Sequence, residues 1–271
     1  MPYQSDMLHG IIKVPVTDLR VAPDSKTERL SQVLFGTPVE IVEIQKEFTH
    51  VVLLDKYTGW CRTAHIHQVA FALWQKYIAE PRHRVKSETV LIRSGPGKFT
   101  YPFRLFFGTE LVIRPHNGEV HFELPGSDIR APISTRCLIK VEKKRRSGPE
   151  GKQIVATAAR FVGVPYLWGG ITPLGFDCSG LVQAVYRFHG VDLPRDSKDQ
   201  RSEGFIIDRQ DLKPGDLLFF PGHVAMSCGG ENIVHASASR GMVTVDSLGS
   251  AVPNYREDLD REFIEARRLS L

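Results

Sequence analysis

Cys178 follows Asp177 and opens a segment in which Leu181, Val182, Val185 and Phe188 recur at helical spacing until Gly190. Asp177 suits the N-cap, because its carboxylate can accept a free N–H of the first turn. The thiol then sits at a helix N-terminus, where unpaired N–H groups and the positive dipole end favour thiolate over thiol. A nucleophilic cysteine needs a base, and the base needs a polar partner to hold its tautomer. His223 begins one strand-like segment, Pro221-Gly222-His223-Val224-Ala225-Met226, and His235 ends another, Asn232-Ile233-Val234-His235. Gly229-Gly230 between them fits a hairpin, which can bring both imidazoles to one end of a sheet. Cys178, His223 and His235 can therefore supply the three parts. Singly, each has a plainer role: a first-turn cysteine is often core, and a lone histidine is often structural.

Other chemistry-bearing residues are weaker. His65-Ile66-His67 alternates as a strand would and could offer two metal ligands, but no third is evident, so it reads as a structural pair. Asp216, after Pro214-Gly215, reads as a turn residue. No metal or cofactor is expected. Cys61, Cys137 and Cys228 form no C-x-x-C pair or zinc spacing with Cys178 and read as reduced thiols, so a reducing compartment is expected. A net charge of +4, from 35 basic and 31 acidic residues, does not imply nucleic acid. No apolar run reaches the roughly 18 residues of a membrane span. Met1–Asp6 has neither a basic n-region nor an apolar h-region, so a cytoplasmic location is expected, with a periplasmic or exported form as the alternative.

The elements that would position these residues fall into two halves. The 271 residues suggest two domains or three small ones. Residues 1–141 read as β, with short β-branched runs such as 39–44 and 49–54 between polar turns. They contain a weak repeat. Leu19-Arg20-Val21-Ala22-Pro23, followed by Leu34-Phe35-Gly36-Thr37-Pro38-Val39, returns about 72 residues later. The second copy is Ile92-Arg93-Ser94-Gly95-Pro96, followed by Phe106-Phe107-Gly108-Thr109-Glu110-Leu111. Two copies at that period indicate two small β-barrels, at 1–70 and 71–141, with 71–77 a short helix or a connecting strand. Residues 142–150, a charge run ending in Gly-Pro-Glu, read as a linker. Beyond it, Ile154, Ala158 and Phe161 give a helix over 151–162, and strands follow from Asp216. Helices followed by strands indicate an α+β domain over 151–271.

These motifs resemble a known family. Tyr166-Leu167-Trp168-Gly169-Gly170, Phe176-Asp177-Cys178-Ser179-Gly180-Leu181-Val182, Leu193-Pro194-Arg195-Asp196-Ser197, Leu212-Lys213-Pro214-Gly215-Asp216-Leu217, Gly222-His223-Val224 and Val234-His235-Ala236 are similar, in order, to the NlpC-type, papain-like cell-wall peptidases. Tyr57-Thr58-Gly59-Trp60-Cys61 resembles the late strand of the bacterial SH3-like domains often attached to such enzymes. The resemblance implies a papain-like domain, with helices packed on an antiparallel sheet, behind two SH3-like barrels. It implies Cys178 as nucleophile, His223 as base and then acid, His235 as the orienting residue, and Tyr166 as an oxyanion donor beside the backbone N–H of Cys178.

The arrangement is similar to one branch of the family, which cleaves the γ-D-glutamyl–diamino acid bond of murein peptides with a free N-terminal L-alanine. That likeness implies that Asp177, Ser197, Tyr57 and Glu28 hold the substrate's amino end, with Ser179 and Arg195 counted among the binding residues. The expected partner is a peptidoglycan-derived peptide. Two alternatives stand beside this reading: a related amidase or acyltransferase of the same superfamily, and an inactive scaffold in which the SH3-like modules bind peptides.

Overall fold

The computed structural model describes residues 8–92, 103–142 and 150–269. Met1–Asp6, the Arg93–Pro96 part of the repeat and residues 143–149 of the expected linker lie outside the described residues. The chain divides into two compact units, Met1–Val141 and Glu142–Leu271.

The first unit begins with a seven-stranded antiparallel sheet, Leu8–Ile12, Val16–Arg20, Arg29–Leu34, Pro38–Gln45, Phe48–Leu53, Thr58–Arg62 and Ile66–Val69. Leu8–Ile12 pairs with both Pro38–Gln45 and Ile66–Val69, which curls the sheet around Ile12, Leu19, Val39, Ile41, Val51 and Cys61. The segment from Phe71 is a helix, Phe71–Ala79, with Trp74 and Tyr77 on its buried side. Short two- and three-stranded sheets follow, and their core contains Ile11 and Phe35 from the first barrel as well as Tyr77, Leu105 and Phe122. The two modules are thus joined by shared apolar packing. The repeat has a backbone cause. Gly36 and Gly108 both sit at left-handed φ, 78° and 83°, between a strand that ends and one that begins, a conformation glycine adopts without steric cost. His65 and His67 are engaged separately: Nδ1 of His65 lies 2.7 Å from the Thr17 hydroxyl, and Nε2 of His67 lies 3.1 Å from the Pro125 carbonyl.

The second unit packs helices on an antiparallel six-stranded sheet. Its order is Phe205–Ile207, Glu265–Arg268, Leu217–Phe220, His223–Gly229, Asn232–Ser237, Met242–Ser247. The first helix, Gly151–Ala159, is shorter than its apolar pattern, and Phe161 is buried just beyond its end. The second, Cys178–Phe188, buries Leu181, Val182, Val185 and Tyr186 and stops where Gly190 turns to φ 81°. It packs against the strands His223–Gly229 and Asn232–Ser237. Asp216 serves its turn by accepting from the Lys213 N–H at 2.6 Å. It also accepts two hydrogen bonds from Arg268, at 2.7 and 2.8 Å, which tie the strand Glu265–Arg268 to that turn.

Candidate active site

Cys178 is the first residue of its helix, and Asp177 is the N-cap, accepting from the Gly180 N–H at 2.6 Å. The turn before it is drawn tight by glycines. A Cβ on Gly180 would lie 2.2 Å from the Gly170 carbonyl oxygen, and one on Gly170 would lie 2.3 Å from that of Gly175. Only bare backbone allows the Leu167–Phe176 loop to press against the helix start. Asp177 fastens that loop as well, accepting from the Gly169 N–H at 2.8 Å.

Behind the cap lies Arg195, 4% exposed, which donates to both carboxylate oxygens of Asp177, at 2.6 and 3.1 Å, and to the Ser179 hydroxyl at 2.9 Å. The Ser179 hydroxyl donates in turn to Asp177 at 3.3 Å. Ser179 and Arg195 are both buried, and both bond to Asp177. That carboxylate already receives the Gly169 and Gly180 N–H groups, the Arg195 guanidinium and the Ser179 hydroxyl. Ser197 is half-buried at the start of the short helix Ser197–Gln200. Tyr57 and Glu28 belong to the other unit. Tyr57 packs against the first barrel's core, and the Glu28 carbonyl accepts from the Val21 N–H at 3.1 Å.

The thiol of Cys178 receives the backbone N–H groups of Val224 and Ser179. Val224 directly follows His223, so Cys178 lies against the start of the histidine strand. Strand register explains the rest. Met226 pairs with Val234, and Ile233 pairs with Asp246. With side chains alternating between faces, His223, His235 and Asp246 fall on one face, each diagonal to the next. The side chains meet accordingly: Nε2 of His223 lies 2.7 Å from Nδ1 of His235, and Nε2 of His235 lies 3.2 Å from Oδ2 of Asp246. The sequence reading had no carboxylate here. Asp246 is 1% exposed and is also bonded by Arg240, at 3.2 and 3.4 Å, and by Arg256, at 3.1 Å. No local sequence signal marks Asp246; it lies two residues beyond Thr244, which the strand register pairs with His235.

Electrostatics correct one expectation. Burial, reinforced by the Asp177 charge, pushes the Cys178 thiol up, against the pull of the two N–H groups and Arg195. Desolvation outweighs the helix terminus, and the resting cysteine is a thiol. Burial, reinforced by the neighbouring His235 ring and the Arg256 guanidinium, pushes the His223 imidazole down to about 3, so it rests neutral and able to accept a proton. Tyr166 is pushed up to about 12 by burial and by its nearness to Cys178 and Asp177. Its hydroxyl therefore keeps its proton at neutral pH. The Cys178 thiol, the His223 imidazole and the Tyr166 hydroxyl are thus all uncharged at rest. Among the described residues no group of three or more His, Cys, Asp or Glu could hold a metal ion. No described helix is long and apolar enough to cross a membrane.

Residues 163–260 match the model of the NlpC/P60 family, and residues 19–66 match that of the bacterial dipeptidyl-peptidase SH3 domain. Dipeptidyl-peptidase 6 of Lysinibacillus sphaericus is 29% identical over 269 residues, 93% of this chain and 96% of that protein. The gamma-D-glutamyl-L-lysine dipeptidyl-peptidase of Bacillus subtilis is 29% identical over 252 residues, 84% of this chain and 78% of its own. A crystal structure of an NlpC/P60 family protein from Bacillus cereus superposes with a TM-score of 0.83 at 24% identity, covering 96% of this chain and 99% of that one, and shows the same fold.

Proposed function

The chain belongs to the NlpC/P60 family, a cell-wall cysteine endopeptidase by its relatives, and from that premise we propose that it hydrolyses the γ-D-glutamyl–diamino acid bond of peptidoglycan-derived peptides with a free N-terminal L-alanine. The observation that carries the chemistry is the hydrogen-bonded chain His223–His235–Asp246 beside a helix-start cysteine. The substrate class follows the B. subtilis relative's name and the family resemblance.

In this reading His223 takes the Cys178 proton as Sγ attacks the γ-glutamyl carbonyl carbon. The carbonyl oxygen becomes an oxyanion, held by the Cys178 N–H and the Tyr166 hydroxyl. Collapse breaks the C–N bond, and the proton on His223 passes to the leaving amine of the diamino acid. The thioester is then opened by a water that gives its proton to His223, and that proton returns to sulfur as the dipeptide leaves. Both groups begin neutral, so the charge separation arises only at attack. Tyr57 and Glu28 enter the proposal on the resemblance alone, as contacts to the substrate's amino end. An intact nucleophile, base and hydroxyl donor favours catalysis over an inactive scaffold.

The test is incubation with L-Ala-γ-D-Glu-diaminopimelate and resolution of products by mass. The expected products are L-Ala-D-Glu and free diaminopimelate. An uncleaved peptide, or cleavage between alanine and glutamate, overturns the assignment.

A further inference from the structure

We infer that Asp246 is a positioning residue that sets the tautomers of both histidines, so that His223 presents an unprotonated Nδ1 to Cys178. This deepens the proposed function and rests on its assignment of nucleophile and base.

The argument is one of donors and acceptors. Asp246 is fully buried, and its carboxylate can only accept. Nε2 of His235, 3.2 Å from Oδ2, must therefore carry a proton. In a neutral imidazole the other nitrogen is then a lone pair, so Nδ1 of His235 accepts. Across the 2.7 Å contact, the donor must be Nε2–H of His223. Nδ1 of His223 is left unprotonated, as a base requires. Nothing else at the far end of this chain imposes that order, because two coupled neutral imidazoles alone can run their protons in either direction. The arginines keep the carboxylate in register. Arg256 and Nε of Arg240 donate to Oδ2, the oxygen that faces His235, while Nη2 of Arg240 donates to Oδ1. Asp246 therefore remains an acceptor at every position, and a proton cannot settle on the oxygen that faces His235.

This arrangement gives an unusual pattern for two substitutions. In Asp246→Asn, three donors converge on the Oδ2 position, so the amide oxygen settles there and the NH2 turns toward Arg240, which is 43% exposed and can swing away. The acceptor facing His235 survives. In Asp246→Ala it does not. Asp246→Asn should lose about 10-fold in kcat, and Asp246→Ala about 100-fold or more, with KM for the tripeptide little changed in both. The reading that Asp246 merely anchors the arginines predicts equal losses that follow thermal stability.

The decisive readout does not use activity. Imidazole 15N shifts of full-length protein report which ring nitrogen carries the proton. The expected pattern is Nε2–H on both His223 and His235 in wild type and in Asp246→Asn, and a tautomer mixture in Asp246→Ala. Nδ1–H on His223 in wild type, or an unchanged pattern in Asp246→Ala, overturns the inference. Failure of the wild type to cleave the tripeptide would instead count against the proposed function, and the 15N pattern would still decide the role of Asp246.

Discussion

Neutrality at rest distinguishes this site at the scale of single residues. A cysteine at a helix start suggests a standing thiolate, and that much is legible in Asp177-Cys178. The opposing desolvation is not, because it comes from the sheet and loop that close over the thiol, leaving it 8% exposed. Cys178→Ala should lower turnover at least about 1,000-fold with the fold intact. Retention of a few per cent of wild-type rate would remove Cys178 as nucleophile. His223→Ala should cost about 100- to 10,000-fold, and His235→Ala less, since water can partly replace an orienting group. The depressed His223 pKa also bears on stability. The unfolded chain takes up this proton near pH 6.5, the folded chain only near 3. The neutral imidazole's contribution is thus complete above about pH 6.5 and falls away as pH drops toward 3. Thermal melts between pH 7 and 4 should show a shallower decline in His223→Gln than in wild type, and parallel curves would contradict the assignment.

Strands and helices differ in how far local sequence marks them, for physical reasons. Periodicity locates the Cys178 helix and the two histidine strands because each buries one face, and a buried face leaves its mark on local sequence. Asp246 escapes that reading. It closes the strand Met242–Ser247 as an acid before a serine, which looks like a strand end, and only the pairing of Ile233 with Asp246 brings it to His235. The Asp177–Arg195 pair is equally invisible, since it joins residues of different elements. It nevertheless governs the helix start. Asp177→Ala should remove the cap and the ion-pair partner of a buried guanidinium, a loss of about 3–5 kcal/mol in denaturant unfolding. Gly180→Ala should be harmful for a different reason, because its methyl group meets the Gly170 carbonyl at 2.2 Å. A stability cost of about 1–3 kcal/mol is expected, with kcat falling because the Leu167–Phe176 loop, which directly follows Tyr166, must withdraw. A Gly180→Ala protein with wild-type melting and rate would show that this contact is not needed.

For the whole molecule, the SH3-like unit and the catalytic unit each have their own core, and the proposed function assigns the first unit's Tyr57 to the peptide's amino end. Charge-assisted hydrogen bonds to the peptide's free amine are worth roughly 1.5–3 kcal/mol each. N-acetylation of the tripeptide should therefore reduce kcat/KM by about 100-fold, equivalent to about 2.7 kcal/mol. Tyr57→Ala should narrow that gap more than it lowers thermal stability. Equal rates on free and acetylated peptides with wild-type protein would mean that the amine is not read. The catalytic sheet has a separate consequence for the chain's biosynthesis. Its strand Glu265–Arg268 follows every other strand of that sheet in sequence, yet lies inside it, between Phe205–Ile207 and Leu217–Phe220. On the ribosome those two strands wait with open edges until this strand emerges, so the sheet bearing both histidines is completed in one late step.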